Sequence, residues 1–520
     1  MTPVARVVVL MLAGSLLPVD TGRAAAQELG SIEFEATGTA EARDHFLKGV
    51  LLLHNFEYED ATLAFRAART ADPDMVMAYW GEAMSYNHPI WMEQDKSAAM
   101  DVLATLAPTP EARRARASTP WERDWLDAVE VLYGDGPKEA RDFAYRDVMR
   151  RMWEKYPAND EVAAFYALAI LGTAHEGRDF ATYMRAAAVV QPVFLRSDRH
   201  PGAAHYVIHA FDDPVHAPLG LPAARAYSKV APDAGHAQHM TSHIFVAMGL
   251  WEDVVVANIR ARDVQNRSLA AKGRGPNVCG HYTSWLHYGY LQQGRLTEAR
   301  ATMDACQERI QDDPQPGEVG YYVAMRARAA IDAEDWAVSE RYTAEPGVLD
   351  RFRIAYDFVD ALAAIRTGDW PRAREIRARH GDASDTPAPR DGIHLMLLDG
   401  LLAEHAGPGR GIAVLIEAAE LEASLPFEFG PPATLMPPHE LVAGELAAQG
   451  KLAEARLYWS EQLDRTPQRT SALLGLARTT QELGDEATAQ ETYRALDRIW
   501  GRADAGTPGL SEVRESVSGR

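Results

Sequence analysis

Seven of the 17 histidines in this 520-residue chain lie within residues 200–243. Four of them form two pairs whose partners are four residues apart, His205 with His209 and His239 with His243. On an α-helix such partners lie one above the other on one face, so both side chains of a pair can bind the same ligand. The offset from His205 to His239 equals the offset from His209 to His243. The spacing predicts that the two pairs occupy equivalent positions in neighbouring structural repeats.

These pairs favour coordination of a divalent transition metal, because neutral imidazole is the commonest metal ligand in proteins. Zn is the first expectation, and Cu, Fe or Ni also suit imidazole ligands. The predicted ligands are His205, His209, His239 and His243, with His236 and His281 completing or tuning the coordination. Asp212 and Asp213 follow the first pair and are the candidates for a general base in a metal-dependent reaction. Neither HYVIH nor HMTSH contains the glutamate of an HExxH protease motif.

Two other interpretations of the histidines remain open at the level of sequence. They can line a polar groove that binds no metal, or they can be satisfied by hydrogen bonds within a packed core. Convergence of the ring nitrogens within coordination distance distinguishes a metal site from both alternatives.

The composition is typical of a folded protein with an acidic net charge. Apolar residues make up 47% of the chain and charged residues 24%, which is ordinary for a soluble domain. The formal net charge of −21 argues against nucleic acid as a partner, because phosphate binding requires clustered Lys and Arg.

Residues 1–26 have the pattern of a secretory signal peptide. Arg6 supplies a positive charge, residues 7–17 form a short apolar segment, and three alanines precede a cleavage position before Gln27. No later run is long and apolar enough to be expected to span a membrane. The mature chain is therefore expected to be periplasmic or secreted.

The chain has two cysteines, Cys279 and Cys306. If 280–292 and 296–308 are antiparallel helices, the start of the first lies beside the end of the second, and a disulfide is sterically possible. Two free thiols, or Cys279 as a metal ligand, are the alternatives.

The elements that must position the histidines are predicted to be helical almost throughout, from about residue 40 onward. One common period separates Gly450 from Gly484, Ala455 from Ala489 and Trp336 from Trp370. On these spacings the chain resembles the tetratricopeptide repeat family, whose units are about 34 residues long, over most of its mature length. The resemblance implies an all-α fold, a right-handed α-solenoid of helix pairs in which stacked units share one continuous core.

Breaks in the repeat pattern predict the domain organisation. The stretch QDDPQPGEVG at 311–320 is the predicted boundary between an N-terminal array, 27–310, which carries the histidines, and a C-terminal array, 311–500. Residues 501–520 are expected to form a flexible tail. The Pro-rich stretch at 424–438 is expected to be extended and to run over the surface or across the groove.

The resemblance also implies which face carries the histidines. With Gly249 at position 15 of a repeat, the two histidine pairs fall at positions that line the concave groove in this family. The same frame places further groups on that wall, namely Asp212, Asp213, His236 and His281. The segments HPGAAHYVIHAFDDP and HMTSHIF resemble a group of exported bacterial tetratricopeptide proteins, and this resemblance implies the fold and the site rather than an activity.

Two functional hypotheses follow from the sequence. In the first, the chain is an exported solenoid with a His-rich divalent-metal site on its concave face, and the metal ion is the candidate catalyst of an enzyme. In the second, it is a periplasmic adaptor whose groove binds a peptide or a partner protein without metal.

Overall fold

The computed structural model describes residues 27–519, so the predicted signal segment at 1–26 lies outside the described residues. The described residues form 26 α-helices and a single antiparallel pair of two-residue strands, Asn87–His88 with Glu93–Gln94. This architecture confirms the predicted all-α solenoid. Among the described helices, none has both the length and the apolar character needed to cross a membrane.

The helix bounds follow the chain in order. The first nine helices are α1 (Ala40–His54), α2 (Tyr58–Ala71), α3 (Val76–Met84), α4 (Lys96–Leu106), α5 (Pro110–Arg116), α6 (Pro120–Leu132), α7 (Lys138–Lys155), α8 (Asp160–Leu171) and α9 (Phe180–Arg196). The next eight are α10 (Pro201–Phe211), α11 (Ala217–Val230), α12 (Gly235–Ala247), α13 (Trp251–Ala271), α14 (His281–Gln292), α15 (Leu296–Asp312), α16 (Pro316–Asp332) and α17 (Val338–Arg341). The last nine are α18 (Arg353–Thr367), α19 (Trp370–Arg377), α20 (Pro389–Ala406), α21 (Ile412–Ser424), α22 (Pro438–Ala448), α23 (Leu452–Arg465), α24 (Thr470–Glu482), α25 (Glu486–Ile499) and α26 (Leu510–Ser518). Short 3-10 turns occur at Pro89–Trp91, Pro346–Val348, Asp350–Phe352 and Ala383–Asp385.

Consecutive helices pack as antiparallel neighbours, and alternate helices also touch one another. Helix α8 contacts α10, α10 contacts α12, and α14 contacts α16. These alternate contacts build one row of first helices, in which each helix pair is covered by the next. The row includes α10, α12 and α14, the helices that carry the predicted ligands.

Glycine closes the turn between the two helices of several pairs. Gly249, Gly294, Gly450 and Gly484 all have positive φ, between 65° and 76°. The residue after each glycine donates its N–H to the carbonyl five residues back, at 2.8–2.9 Å. Glycine adopts this left-handed conformation without the steric cost that a Cβ brings, which explains why it recurs at a fixed place in the repeat.

The first helix pair breaks this rule. Phe56 occupies the turn between α1 and α2 with φ 55°, and the next residue, Glu57, donates its N–H to the Leu52 carbonyl at 3.0 Å. A bulky residue in the left-handed region costs about 1–2 kcal/mol, so another interaction of Phe56 must offset this strain.

The C-terminal helices fold back onto the helices that carry the histidines. The indole N–H of Trp251 donates to the Gln468 carbonyl at 2.9 Å, and the Asp504 N–H donates to the Gly294 carbonyl at 2.9 Å. The array therefore closes on itself instead of extending as an open rod.

The predicted flexible tail at 501–520 differs from what the structure shows. Helix α26 forms there, and its residues Leu510 and Val513 are buried. Their spacing of three residues places both on one helical face, and this face packs on the last helix pairs. The predicted division at 311 stays a prediction, since α15 and α16 follow one another across it with three intervening residues.

Candidate metal centre

Helices α10, α12 and α14 bring all six predicted histidine ligands together. The equal offset between the two pairs corresponds to two helices in contact, because His205 and His209 lie on α10 and His239 and His243 lie on α12. All four side chains are buried. The ring nitrogens group into two sets of three, and not into one set made of the two predicted pairs. We call His205, His209 and His236 the upstream set, and His239, His243 and His281 the downstream set.

In the downstream set, hydrogen bonds fix the protonated nitrogen of two rings. His243 Nδ1–H donates to Asp212 Oδ2 at 2.8 Å. His239 Nδ1–H donates to Asn258 Oδ1 at 2.7 Å, and this amide is oriented because its Nδ2 donates to the Val254 carbonyl at 2.8 Å. In a neutral imidazole with Nδ1 protonated, Nε2 carries only a lone pair. The Nε2 atoms of His239 and His243 nevertheless face each other at 3.3 Å.

The upstream set follows the same pattern in part. His205 Nδ1–H donates to the backbone carbonyl of His54 at 2.7 Å, so its Nε2 is an acceptor. That Nε2 lies 3.2 Å from His236 Nε2. His209 Nε2 is buried and has no hydrogen-bond partner among the described residues. All three rings therefore direct a nitrogen into a shared space.

Burial favours the neutral form of four of these imidazoles. It lowers the pKa of His205, His236 and His239 well below the ordinary value, and the positive charge of neighbouring histidines would lower each pKa further. Burial also lowers the pKa of His281 to about 3. Because only the neutral ring offers a lone pair, these four rings are in the form that binds metal at neutral pH.

Asp212 orients ligands of both sets. Its Oδ2 accepts from His243 and lies 3.5 Å from His209 Nδ1, while Arg178 pairs with its other oxygen. Burial alone would raise the pKa of Asp212, but Arg178 and the two histidines hold it far below its ordinary range. A carboxylate that fixes the outer nitrogen of a ligating histidine is the usual support of a metal site.

Asp213 does not face either set. Its carboxylate pairs with Arg178 at 3.2 Å and accepts the backbone N–H groups of Val215 and His216, each at 3.0 Å. These bonds organise the loop between α10 and α11. A general-base role for Asp212 or Asp213 stays a prediction, and the contacts give them orienting and loop-forming roles.

Aromatic rings wall the centre, and they were not among the predicted site residues. The Phe56 ring lies 4.3 Å from the His205 ring and stacks on His236 at 5.4 Å. Trp285 stacks on His243 at 4.6 Å between ring centroids. The strained turn at Phe56 thus places a large ring against the upstream set, at the position where the repeat otherwise uses glycine. A phenylalanine at that glycine position was the signal in the sequence.

The Pro-rich stretch crosses this centre, which is one of the two paths predicted for it from the sequence. Residues 425–437, which we call the strap, contain no helix and run between α21 and α22. Phe429 of the strap stacks on His243 at 4.8 Å, and a cleft of about 830 Å³ separates the strap from the end of α12. Asp212 lines that cleft, so the cleft leads from the outside to the edge of the centre.

A second buried polar network supports the upstream set. Glu161 contacts His54 Nε2 at 2.8 Å and His200 Nε2 at 3.2 Å, and the other nitrogen of His54 bonds the Tyr206 hydroxyl at 2.9 Å. His200 Nδ1 accepts the Ala203 N–H at the start of α10. Both ring nitrogens of His54 are hydrogen-bonded, whereas His200 Nε2 lies near Glu161 without a well-formed hydrogen bond. This network differs from the two sets in containing a carboxylate, although its ligand atoms also lie within 4.8 Å of one another. Its role is to hold His54, whose carbonyl fixes His205.

The two cysteines are joined. Cys279 and Cys306 form a disulfide with their Cα atoms 4.6 Å apart, and no described cysteine is free. The bond ties the chain just before α14 to α15. Because His281 begins α14, the disulfide anchors the helix end that supplies one ligand of the downstream set.

Comparison with known proteins gives no family assignment, and the solved structures that it finds are distant. No protein-family model and no curated protein matches the chain. Among solved structures, a human IFIT1 dimer with m7Gppp-AAAA is 13% identical, with a TM-score of 0.32 over 89% of this chain and 91% of that one. Yeast Tom70 is 12% identical, with a TM-score of 0.33 over 89% and 98% of the two chains. The P58(IPK) TPR domain is 14% identical, with a TM-score of 0.23 over 92% and 99%.

Proposed function

We propose that this chain is an exported helical solenoid that binds a divalent transition-metal ion on its concave face, through the downstream set. The observation that carries the proposal is the 3.3 Å separation of two Nε2 lone pairs on His239 and His243. Without a proton between them, two acceptors at this distance repel each other. Two nitrogens that bind one tetrahedral Zn²⁺ at 2.0–2.1 Å lie roughly 3.3 Å apart. A cation between the two rings therefore turns an unfavourable contact into coordination.

The chemistry of the ligand atoms indicates which metal ions fit the site and what such an ion can do there. The six predicted ligands are all imidazoles and include no thiolate. Neutral imidazole favours Zn, Cu, Fe or Ni over Ca or Mg. Three histidines leave a fourth coordination position open, which is the arrangement of catalytic and not of structural zinc. An ion held in this way can act as a Lewis acid, and this supports a metal-dependent enzyme.

Elemental analysis of the purified protein tests the proposal. The wild type should contain a transition metal, and the double variant His239→Ala, His243→Ala should lose the ion of the downstream set while keeping its helical circular dichroism. His216→Ala is the matched control, because His216 lies near the centre but bonds Asp213 instead of joining a set. A metal-free wild type after loading with Zn²⁺ or Cu²⁺, or a double variant with full occupancy, would refute the proposal.

A groove in the C-terminal helices favours the second candidate function, an adaptor that binds a peptide or partner protein. A cleft of about 1510 Å³ lies among α16, α18, α22 and α24, and its apolar lining includes Leu362, Leu441 and Trp459. Trp459→Ala should abolish binding of a partner held there and leave the metal content unchanged. Loss of metal in this variant would contradict independence of the two sites.

Export is the remaining part of the proposal. The segment 1–26 supports a mature N-terminus at or near Gln27. Intact-mass measurement on periplasmic or culture-medium protein tests it, and a retained leader would contradict it.

A further inference from the structure

We propose that the upstream set holds a second metal ion, so that the centre is dinuclear. This inference rests on the proposed function of the downstream set and extends it to His205, His209 and His236.

The ligand atoms of the upstream set converge within the same limit as those of the downstream set. In each set, one nitrogen from every histidine lies within 4.8 Å of the others. His205 Nε2 is an acceptor because its Nδ1 is bound to a backbone carbonyl. His209 Nε2 is a buried polar atom without a partner among the described residues, and an ion would satisfy it.

The alternative occupant of the upstream set is a single proton. His236 Nε2–H can donate to His205 Nε2 at 3.2 Å, which would satisfy those two rings without metal. That arrangement leaves His209 Nε2 unsatisfied, whereas a metal ion satisfies all three rings. The start of α12, which carries His236, is held in place, because the Glu57 carboxylate accepts the backbone N–H of His236 at 3.1 Å. A metal ion requires ligands that are positioned in this way.

The two sets adjoin each other. His209 and His243 have ring centroids 5.6 Å apart, and together with Asp212 they bring one ligand atom each within 4.8 Å. Asp212 therefore touches one histidine of each set. Two ions held by six neutral imidazoles would also carry more positive charge than Asp212 can balance. The substrate class that fits such a centre is an anion whose oxygen atoms can contact both ions, a phosphate ester or a carboxylate.

Metal stoichiometry tests the inference. Protein stripped with a chelator and reloaded with Zn²⁺ should retain about two ions per chain after desalting. His236→Ala should retain one, His281→Ala should retain one, and His216→Ala should retain two. His205→Gln provides a second variant of the upstream set should His236→Ala fail to fold. Loading with Cu²⁺ gives an independent readout, because two neighbouring Cu²⁺ ions couple and weaken the paramagnetic resonance signal per ion, whereas the His236→Ala protein should show the full signal of one ion.

The outcomes separate this inference from the proposed function. One ion in the wild type that persists in His236→Ala overturns the dinuclear centre and leaves the downstream site standing. Two ions in both proteins also overturn it, because the second ion then lies elsewhere. A wild type that binds no ion overturns both.

Discussion

Phe429 stacks on His243 with ring centroids 4.8 Å apart and ring planes inclined by 30°, although Phe429 lies in the strap and His243 on α12, far apart in the chain. Phe429 also lies 6.2 Å from His209, so one ring of the strap touches one histidine of each set. The strap therefore covers the centre at the place where the sets meet.

Removing this ring should speed the loss of metal. We expect Phe429→Ala to raise the rate at which a chelator extracts the ion by about 3- to 10-fold, since an aromatic contact contributes about 0.5–1.5 kcal/mol. Stopped-flow extraction with a chromogenic chelator measures it. Phe427→Ala is the matched control in the same strap, because its ring contacts Phe180 and Arg465 and no histidine of either set. Equal rates in the two variants would show that the strap does not limit access.

The two neighbouring aspartates should differ in their effect on metal affinity. We expect Asp212→Asn to weaken binding about 10- to 100-fold, because it removes the carboxylate that orients His243. Asp213→Asn should change affinity by less than about 3-fold, because Asp213 bonds the α10–α11 loop, although both aspartates share Arg178. Competition titration against a chelator of known affinity measures both. Equal losses of metal affinity in the two variants would show that the aspartates act through Arg178 and the α10–α11 loop, and not through His243.

At position 56, a glycine substitution should be less destabilising than an alanine substitution, which reverses the usual order of these two residues. Both substitutions remove the ring from the upstream set, but alanine retains the strain of φ 55° and glycine relieves it. We therefore expect Phe56→Gly to be more stable than Phe56→Ala by about 1 kcal/mol. Urea unfolding of the two metal-free variants measures the difference. If alanine is the more stable, the turn must rearrange when the ring is lost, and the strain has another origin.

His287 should make the stability fall in acid. Burial, followed by the nearby Arg328, lowers its pKa to about 3 in the folded protein, while the unfolded chain takes up a proton near the ordinary value of 6.5. Between these values the unfolded state binds more protons, so the free energy of unfolding falls by about 1.4 kcal/mol for each pH unit below 6.5. His287→Leu should remove this part of the dependence, and it should become more stable than the wild type toward acid. Unfolding of both metal-free proteins from pH 7 to 5 measures the difference in slope, and parallel slopes would contradict the prediction.

Much of the fold could be predicted because its signals are local. The repeat period, the glycines at the turns and the four-residue histidine spacing each depend on neighbours along one helix pair. They identified the helix pairs and the six histidines. The helix at 510–518 was missed, because its short apolar pattern stands in a polar stretch and gains its stability from packing on the preceding helices.

The grouping of the histidines could not be predicted in the same way. Equivalent repeat positions suggested one site made of the two pairs, but His236 faces His205 across two helices, while His239 faces His243 within one. That grouping depends on how α12 packs against α10, and a contact from the distant first helix pair contributes to it, because Glu57 accepts the His236 N–H. The covering by Phe429 depends on the closure of the array, which no local pattern records.

The closure of the array also imposes an order on maturation. The histidines of both sets precede the strap in the chain, so a growing polypeptide presents them before Phe429 exists. The N-terminal part of a chain folds first during synthesis, and the loop residues that contact Gly249 and Gly294, Gln468 and Thr507, arrive last. The histidines therefore pass through a stage in which Phe429 does not yet cover them, and the strap then packs over them. An ion bound as proposed would enter most easily before the strap has packed, so the metal available while the chain folds would decide which ion it keeps.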